Sequence, residues 1–226
     1  MRKTPFVTGE YYHIYNRGVD KRIVFVDEYD IQRFYESLDE FNTIEPIGSI
    51  YENSFAKKLG SETSKLEQDE EEVLVSLIAH CANPNHFHLL LKQETENGIE
   101  KLMQRMGGYT KYFNNKYERT GTLFQGVFKS IHVDTNEYLL HLSAYVNLND
   151  RVHQLGSETS KSVRSRSSWG EYTDEKVKGI CEKSIIFEQF KDIAEYKDFA
   201  LSSLESIVQR KEMLRDVDEY LLEEAE

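Results

Sequence analysis

The feature that most constrains this chain is a pair of apolar runs on either side of a breaker. VLVSLIAHCA (residues 73–82) is followed by Asn83, Pro84 and Asn85, and then by HFHLLLK (residues 86–92). Two such runs around Asn-Pro-Asn predict an antiparallel hairpin, and their near-continuous apolar character puts both strands in the middle of a sheet. In a strand, residues i and i+2 share a face. His86 and His88 therefore present two imidazoles side by side, while Phe87 packs into the core on the other face. That is bidentate metal geometry built from one strand, and the apolar tail Leu89, Leu90, Leu91 makes the strand rigid enough to carry a site.

The flanking sequence supplies the other elements. EYYHIY (residues 10–15) alternates and is rich in aromatic and β-branched residues, so it reads as a strand ending at Asn16, Arg17 and Gly18. Asp27 is placed to cap a helix in which Ile31, Phe34, Leu38 and Phe41 recur at helical spacing. Residues 43–72 are polar and contain Pro46, Gly48, Gly60 and an acidic run, which predicts a connection with at most one short strand at 47–51. A long helix is expected from Asn97 through Ile99, Leu102, Met106, Tyr109 and Phe113, ending by Gly121. A short strand at 127–133 follows. Asp134 and Glu137 then form a capping box for a helix through TNEYLLHLSAYVNLND. Residues 156–168 read as a polar linker, and 185–226 as acidic helix. The hexapeptide GSETSK at 60–65 and 156–161 is too short to be a structural repeat and reads as two surface loops. The interleaving gives an α+β class with a central, mainly antiparallel sheet and helices packed on it.

Composition narrows the functional classes. The 226 residues suffice for one domain with a real core, or a core with a helical appendage. Cys81 and Cys181 stand far apart and outside any CxxC setting, which argues against a disulfide framework or a zinc knuckle and fits a reducing compartment. The N-terminus lacks an apolar signal core and no run is long enough to span a bilayer, so a soluble, cytoplasmic protein with no membrane partner is expected. A net charge of −12 speaks against a generic nucleic-acid coat protein. The charge is uneven, however: Lys101, Arg105, Lys111, Lys116, Arg119 and Lys129 face a single acid, Glu118, within one stretch. A basic patch in an acidic chain can hold a phosphate backbone.

Two histidines in a strand can also be plain polar residues on a half-exposed face, and Tyr145, one of fourteen tyrosines, fits an amphipathic core position. What raises the chemical reading is combination. Tyr145 and Asn149, four residues apart on the helix from Asp134, lie on one face a turn apart, with Tyr138 and His141 on roughly the same side. A phenol and a carboxamide would then accompany the two imidazoles. Tyr109, Tyr112, Phe113 and Tyr117 among the basic residues are candidates for base stacking, although Tyr109 and Phe113 fall on the apolar stripe and read first as core.

NPN followed by HFHLLLK, the segment GYTKYFNNKYERTGTLFQGVFKS (residues 108–130) and AYVNLN resemble the signature regions of the Y1 transposases of the IS200/IS605 class, above all the REP-associated tyrosine transposases. YNRG at 15–18 and Trp169 in SSWGEY are also similar, so the resemblance spans roughly residues 10–172. It implies a ferredoxin-like or RRM-like HUH endonuclease core over residues 1–172, with an acidic helical extension at 173–226. By the same resemblance His86 and His88 are the HUH metal ligands, Asn149 the helix-borne third ligand and Tyr145 the nucleophile. The implied activity is metal-dependent cutting and transfer of single-stranded or hairpin DNA through a 5′-phosphotyrosine. Mg2+ or Mn2+ would be the cofactor, nitrogen ligands favouring Mn2+. Lys111, Lys116, Arg119 and Lys129 are the expected phosphate contacts, with Arg17 and Gln125 added by resemblance alone. Two departures are visible: some members carry glutamine where Asn149 stands, and the usual proline after YxxLN is Asp150. A domesticated, inactive hairpin-binding relative and a water-using metal hydrolase are the alternatives. Family members act as dimers or as single chains, and both states stay open.

Overall fold

The computed structural model describes residues 5–48, 50, 72–154 and 165–206. The two GSETSK loops and the end of the acidic tail fall outside these residues; of the short strand expected at 47–51, Ile47 and Gly48 stand in no strand and Ile50 is helical, so that expectation is corrected. The hairpin forms as expected: β2 (Val75–Asn83) and β3 (His86–Gln93) pair antiparallel around Pro84. β1 (Tyr11–Arg17) lies on the other side of β3, so the chemistry-bearing strand is central. β4 (Lys129–Val133) and β5 (Arg166–Ser167) complete a five-stranded antiparallel sheet in the order β4-β1-β3-β2-β5.

One face carries Tyr12, Ile14, Phe87, Leu89 and Leu91. It is covered by α1 (Glu28–Glu40) through Ile31, Phe34 and Leu38, by α2 (Gly98–Arg105) through Ile99 and Leu102, and by α3 (Gly107–Lys116) through Tyr109 and Phe113. α1 is capped as its sequence predicts. The Asp27 side chain accepts from Asp30 N at 3.0 Å, and Asp30 Oδ2 accepts in return from Asp27 N at 3.3 Å. The opposite face, with Ile78, Cys81 and Leu90, is covered by α4 (Asn136–Asn147) through Leu139, Leu142 and Val146. Burial of these side chains, each worth about 2 kcal/mol of transfer free energy, is what holds both layers on the sheet.

Three further expectations need correction. The single helix expected over residues 97–121 is two, broken at Met106, where the Gly107–Gly108 pair lowers the cost of leaving the helix. Asn97 stands at the start of α2 in the left-handed region and makes no side-chain cap. Thr135, and not Asp134, caps α4: its hydroxyl accepts from Tyr138 N at 3.2 Å.

Residues 165–206 wrap the β2 edge and the back of α4. Here α6 (Trp169–Thr173), α7 (Ser184–Phe187) and a helix at 193–206, α8, share the α4 core through Tyr172, Ile186 and Tyr196. Polar groups tie the seam: Tyr172 donates to Ile78 O at 2.8 Å, and His80 Nε2 meets Glu171 Oε1 at 3.0 Å. Burial lowers the His80 pKa. Burial alone would raise the Glu171 carboxyl, but the His80 bond and the Cys181 N–H hold it below its ordinary value. Both shifts carry the same sign for stability. The unfolded chain binds protons that the folded chain resists, so stability present above about pH 6.5 falls as pH drops through His80 and then through Glu171. Urea unfolding from pH 7 to pH 3 should show this acid slope, and Glu171→Gln should flatten its lower part; an unchanged slope would contradict the seam's role.

Candidate functional site

Antiparallel pairing turns registers into rows, since directly opposed residues project to the same face. Arg17 lies opposite His86, and His86 opposite Asn83. In the next row Lys129 faces Tyr15, Tyr15 faces His88, and His88 faces Cys81. This is the face that α4 covers. Tyr145 stands over His88 with ring centroids 5.5 Å apart and planes at 82°, and 6.2 Å from the ring of His13.

The expected continuous helix from Asp134 to Asp150 is interrupted. α4 ends at Asn147, Leu148 leaves helical geometry at φ −109° and ψ 10°, and Asn149 opens a separate helix, α5 (Asn149–Gln154). The break coincides with Asn147 being drawn aside: its amide donates to Tyr196 Oη at 2.8 Å and its carbonyl accepts from Ser168. Asn149 nonetheless reaches the imidazoles, with Oδ1 at 3.3 Å from His86 Nε2. His141, expected on the Tyr145 side, instead packs at a tilt of 43° against Phe199, with ring centroids 5.0 Å apart, and meets Ser203.

The donor set suits a divalent cation. His86 Nδ1 lies 2.6 Å from Asn85 Oδ1, an acceptor, so the ring carries its proton there and Nε2 keeps its lone pair. Two acceptors, His86 Nε2 and Asn149 Oδ1, thus face each other at 3.3 Å. Ligand bonds of about 2.1 Å meeting at about 100° would put two donor atoms roughly 3.2 Å apart. The Asn83 amide lies between them, at 2.7 Å from Asn149 Oδ1 and 3.1 Å from His86 Nε2, and its own buried Oδ1 has no hydrogen-bond partner among the described residues. His88 engages His13 through Nδ1 at 2.8 Å. His86, His88 and Asn149, two nitrogens and an oxygen, could hold such an ion.

The phenol is un-ionised at neutral pH. Burial raises Tyr145 above its ordinary pKa of 10.0, and the neighbouring Asn149 amide offsets part of that rise. Among the described residues Asn149 Nδ2 has no hydrogen-bond partner. Cys81, below His88, is pushed further up by burial and stays a thiol. Burial also drives the His13 pKa down to about 4, so His13 is neutral.

His13, Tyr15, Asn83 and Asn85 were not among the sequence-expected site residues. Asn83 and Asn85 read as turn formers and His13 as one position in an alternating strand. The missing signal was the β1–β3 register, a long-range pairing that periodicity does not carry. Of the expected phosphate contacts, Arg17 and Lys129 lie on the imidazole face. Gln125 borders it through its backbone N–H, which donates to Arg17 O at 2.7 Å.

Residues 49–149 match the family described as "Transposase IS200 like". Among solved structures, one described as "Structure of the REP associates tyrosine transposase bound to a REP hairpin" is similar at 11% identity and a TM-score of 0.49, over 82% of this chain and 92% of that chain. No curated protein matches.

The remaining basic residues stand elsewhere. Lys111 and Lys116 on α3, and Arg119 beyond it, lie over the sheet face opposite the imidazoles. Lys116 Nζ donates to Asp27 Oδ2 at 2.7 Å and to Asp30 Oδ1 at 2.8 Å, and Asp30 is fully buried. Removing the ammonium would leave that carboxylate uncompensated. Lys116→Met should therefore cost about 2 kcal/mol or more of stability by urea denaturation while changing affinity for single-stranded DNA less than Arg17→Ala does. Unchanged stability with a large loss of DNA affinity would make Lys116 a phosphate contact instead.

Proposed function

We propose that this chain, which carries the IS200-like transposase signature over residues 49–149, is a metal-dependent endonuclease and strand transferase that cuts single-stranded or hairpin DNA with Tyr145 as its nucleophile. A DNA-processing role of the transposase type follows from that signature. The observation that carries the finer reading is the convergence of Tyr145, His86, His88 and Asn149 on one sheet face, two from a strand and two from the helices over it. Residues 1–172 would form the nuclease and 173–226 an acidic extension.

In the proposed reaction the Tyr145 phenolate oxygen bonds to the scissile phosphorus in line with the leaving oxygen. The P–O3′ bond breaks, the 3′-hydroxyl departs with a proton, and a 5′-phosphotyrosine retains the bond energy for rejoining to a second 3′-hydroxyl. A cation held by His86, His88 and Asn149, Mg2+ or Mn2+, would supply charge neutralisation on the phosphate oxygens and favour the phenolate. Arg17 and Lys129, beside His86 and Tyr15 in the sheet rows, would hold the backbone in reach. Tyr15, half-buried and stacked 5.8 Å from His88, offers a face for a splayed base. A single strand suits this layout because a nucleophile between helix and sheet needs a backbone drawn away from its duplex partner. Tyr145 stands over the imidazoles of its own chain, which supports cutting within one protomer.

A denaturing gel with a hairpin oligonucleotide and Mn2+ tests this directly. The wild type should form a protein–DNA adduct, and Tyr145→Phe should abolish the adduct and slow cutting by on the order of 10³-fold or more. Tight binding without an adduct in the wild type would mean an inactive hairpin-binding protein. Cutting retained by Tyr145→Phe would mean attack by water.

A further inference from the structure

We infer that His13 is a positioning residue: its Nε2 accepts the Nδ1 proton of His88 and so keeps the His88 Nε2 lone pair available to a cation. The inference rests on the metal-dependent reading above and extends it to a residue seventy-five positions upstream. His13 Nε2 lies 2.8 Å from His88 Nδ1, and the two rings stack with centroids 5.1 Å apart at 22°. Both side chains are buried, His13 at 5% and His88 at 8% exposure, so water competes little for this bond.

The argument is one of proton counting. A single proton lies between two nitrogens that could each be donor or acceptor. With the proton on His88 Nδ1, His88 Nε2 carries a lone pair and can ligate. With the proton on His13 instead, the neutral His88 ring must carry its own at Nε2 and cannot ligate. His86 shows the same device in simpler form, because Asn85 Oδ1 can only accept and so fixes the proton at His86 Nδ1. Each imidazole thus has a neighbour at Nδ1, one from the preceding residue and one from the next strand. Outer partners of this kind orient ligands and commonly change metal affinity 10–100-fold.

Mn2+ affinity without DNA, measured by calorimetry or by the loss of free-ion EPR signal, reads this directly. His13→Phe fills the space and removes the acceptor, and should weaken Mn2+ binding roughly 10–100-fold, whereas His13→Gln, whose Oε1 can accept the same proton, should stay within about threefold of wild type. His13→Asn keeps an amide that falls short of His88 and should behave like His13→Phe, which covers a failure of the aromatic variant to fold. In metal-free protein, the 15N shifts of His88 should report Nδ1–H in the wild type and His13→Gln, with Nε2–H gaining in His13→Phe. Wild-type affinity in both His13→Phe and His13→Asn, or an Nε2–H tautomer of His88 in the wild type, would overturn the role of His13 and leave the metal site standing. A wild type that binds no Mn2+ would overturn the metal reading, and this inference with it.

Discussion

The chemistry of this fold depends on β3 being held between β1 and β2 in a single register. Strand side chains alternate with a period of two, so a slip by one residue would send His86 and His88 into the face occupied by Ile31 and Phe34 and drive Phe87, Leu89 and Leu91 toward α4. Phe87, Leu89 and Leu91 are each at most 2% exposed, packed under three helices, and that burial resists the slip. The apolar half of β3 therefore fixes the position of its imidazole half. The same register sets Arg17 beside His86 and Tyr15 beside His88, and it brings His13 diagonally within reach of His88.

The phenol depends on a second layer of constraint. α4 is anchored not only by Leu139, Leu142 and Val146 but also by Asn147, whose amide joins Tyr196 of α8 to Ser168 beside β5. Ser168 in turn accepts from His80 N in β2 at 2.9 Å. Buried polar chains of this kind are costly when broken and rigid when complete. A helix held on both its apolar and polar sides keeps Tyr145 in a fixed relation to His88. For an in-line displacement this precision matters, because a misplacement of about 1 Å can cost on the order of a hundredfold in rate. The C-terminal segment, an appendage by composition, is in this sense part of the framework of the candidate site.

Much of the fold was legible because it is local. The Asn-Pro-Asn hairpin, the alternation of residues 10–15, the Asp27 cap and the apolar stripes of α1 and α4 each announce themselves within a dozen residues, and each stands where expected. The breaks were less legible. Met106 and Leu148 lie in sequences with continuous helical periodicity, and Asn147 is turned aside by partners some twenty and fifty residues away. His86, His88, Tyr145 and Asn149 could be named from spacing and resemblance together. Their polar supports could not, because Asn83 and Asn85 look like turn formers, and His13 acquires meaning only when β1 is laid on β3. Lys116 marks the opposite limit. Charge density made it look like a phosphate contact, while the buried Asp30 that engages it lies far back in the sequence.

These placements bear on how an acidic chain could hold DNA at all. With Lys116 committed to Asp27 and Asp30, and Lys111 and Arg119 over the far face, the sequence-expected phosphate contacts that lie beside the candidate site among the described residues are Arg17 and Lys129. Each phosphate neutralised on a single strand contributes a slope of only about −0.7 to the salt dependence of binding, so two such contacts give weak, modestly salt-sensitive attraction. Against a net charge of −12, that attraction would not retain arbitrary DNA. On the proposed reading, selectivity must then come from contacts that count only when the strand is correctly splayed: a cation between phosphate and imidazoles, and a base against Tyr15. Weak general attraction combined with a demanding local geometry suits an enzyme that should form a covalent DNA bond rarely and in the right place.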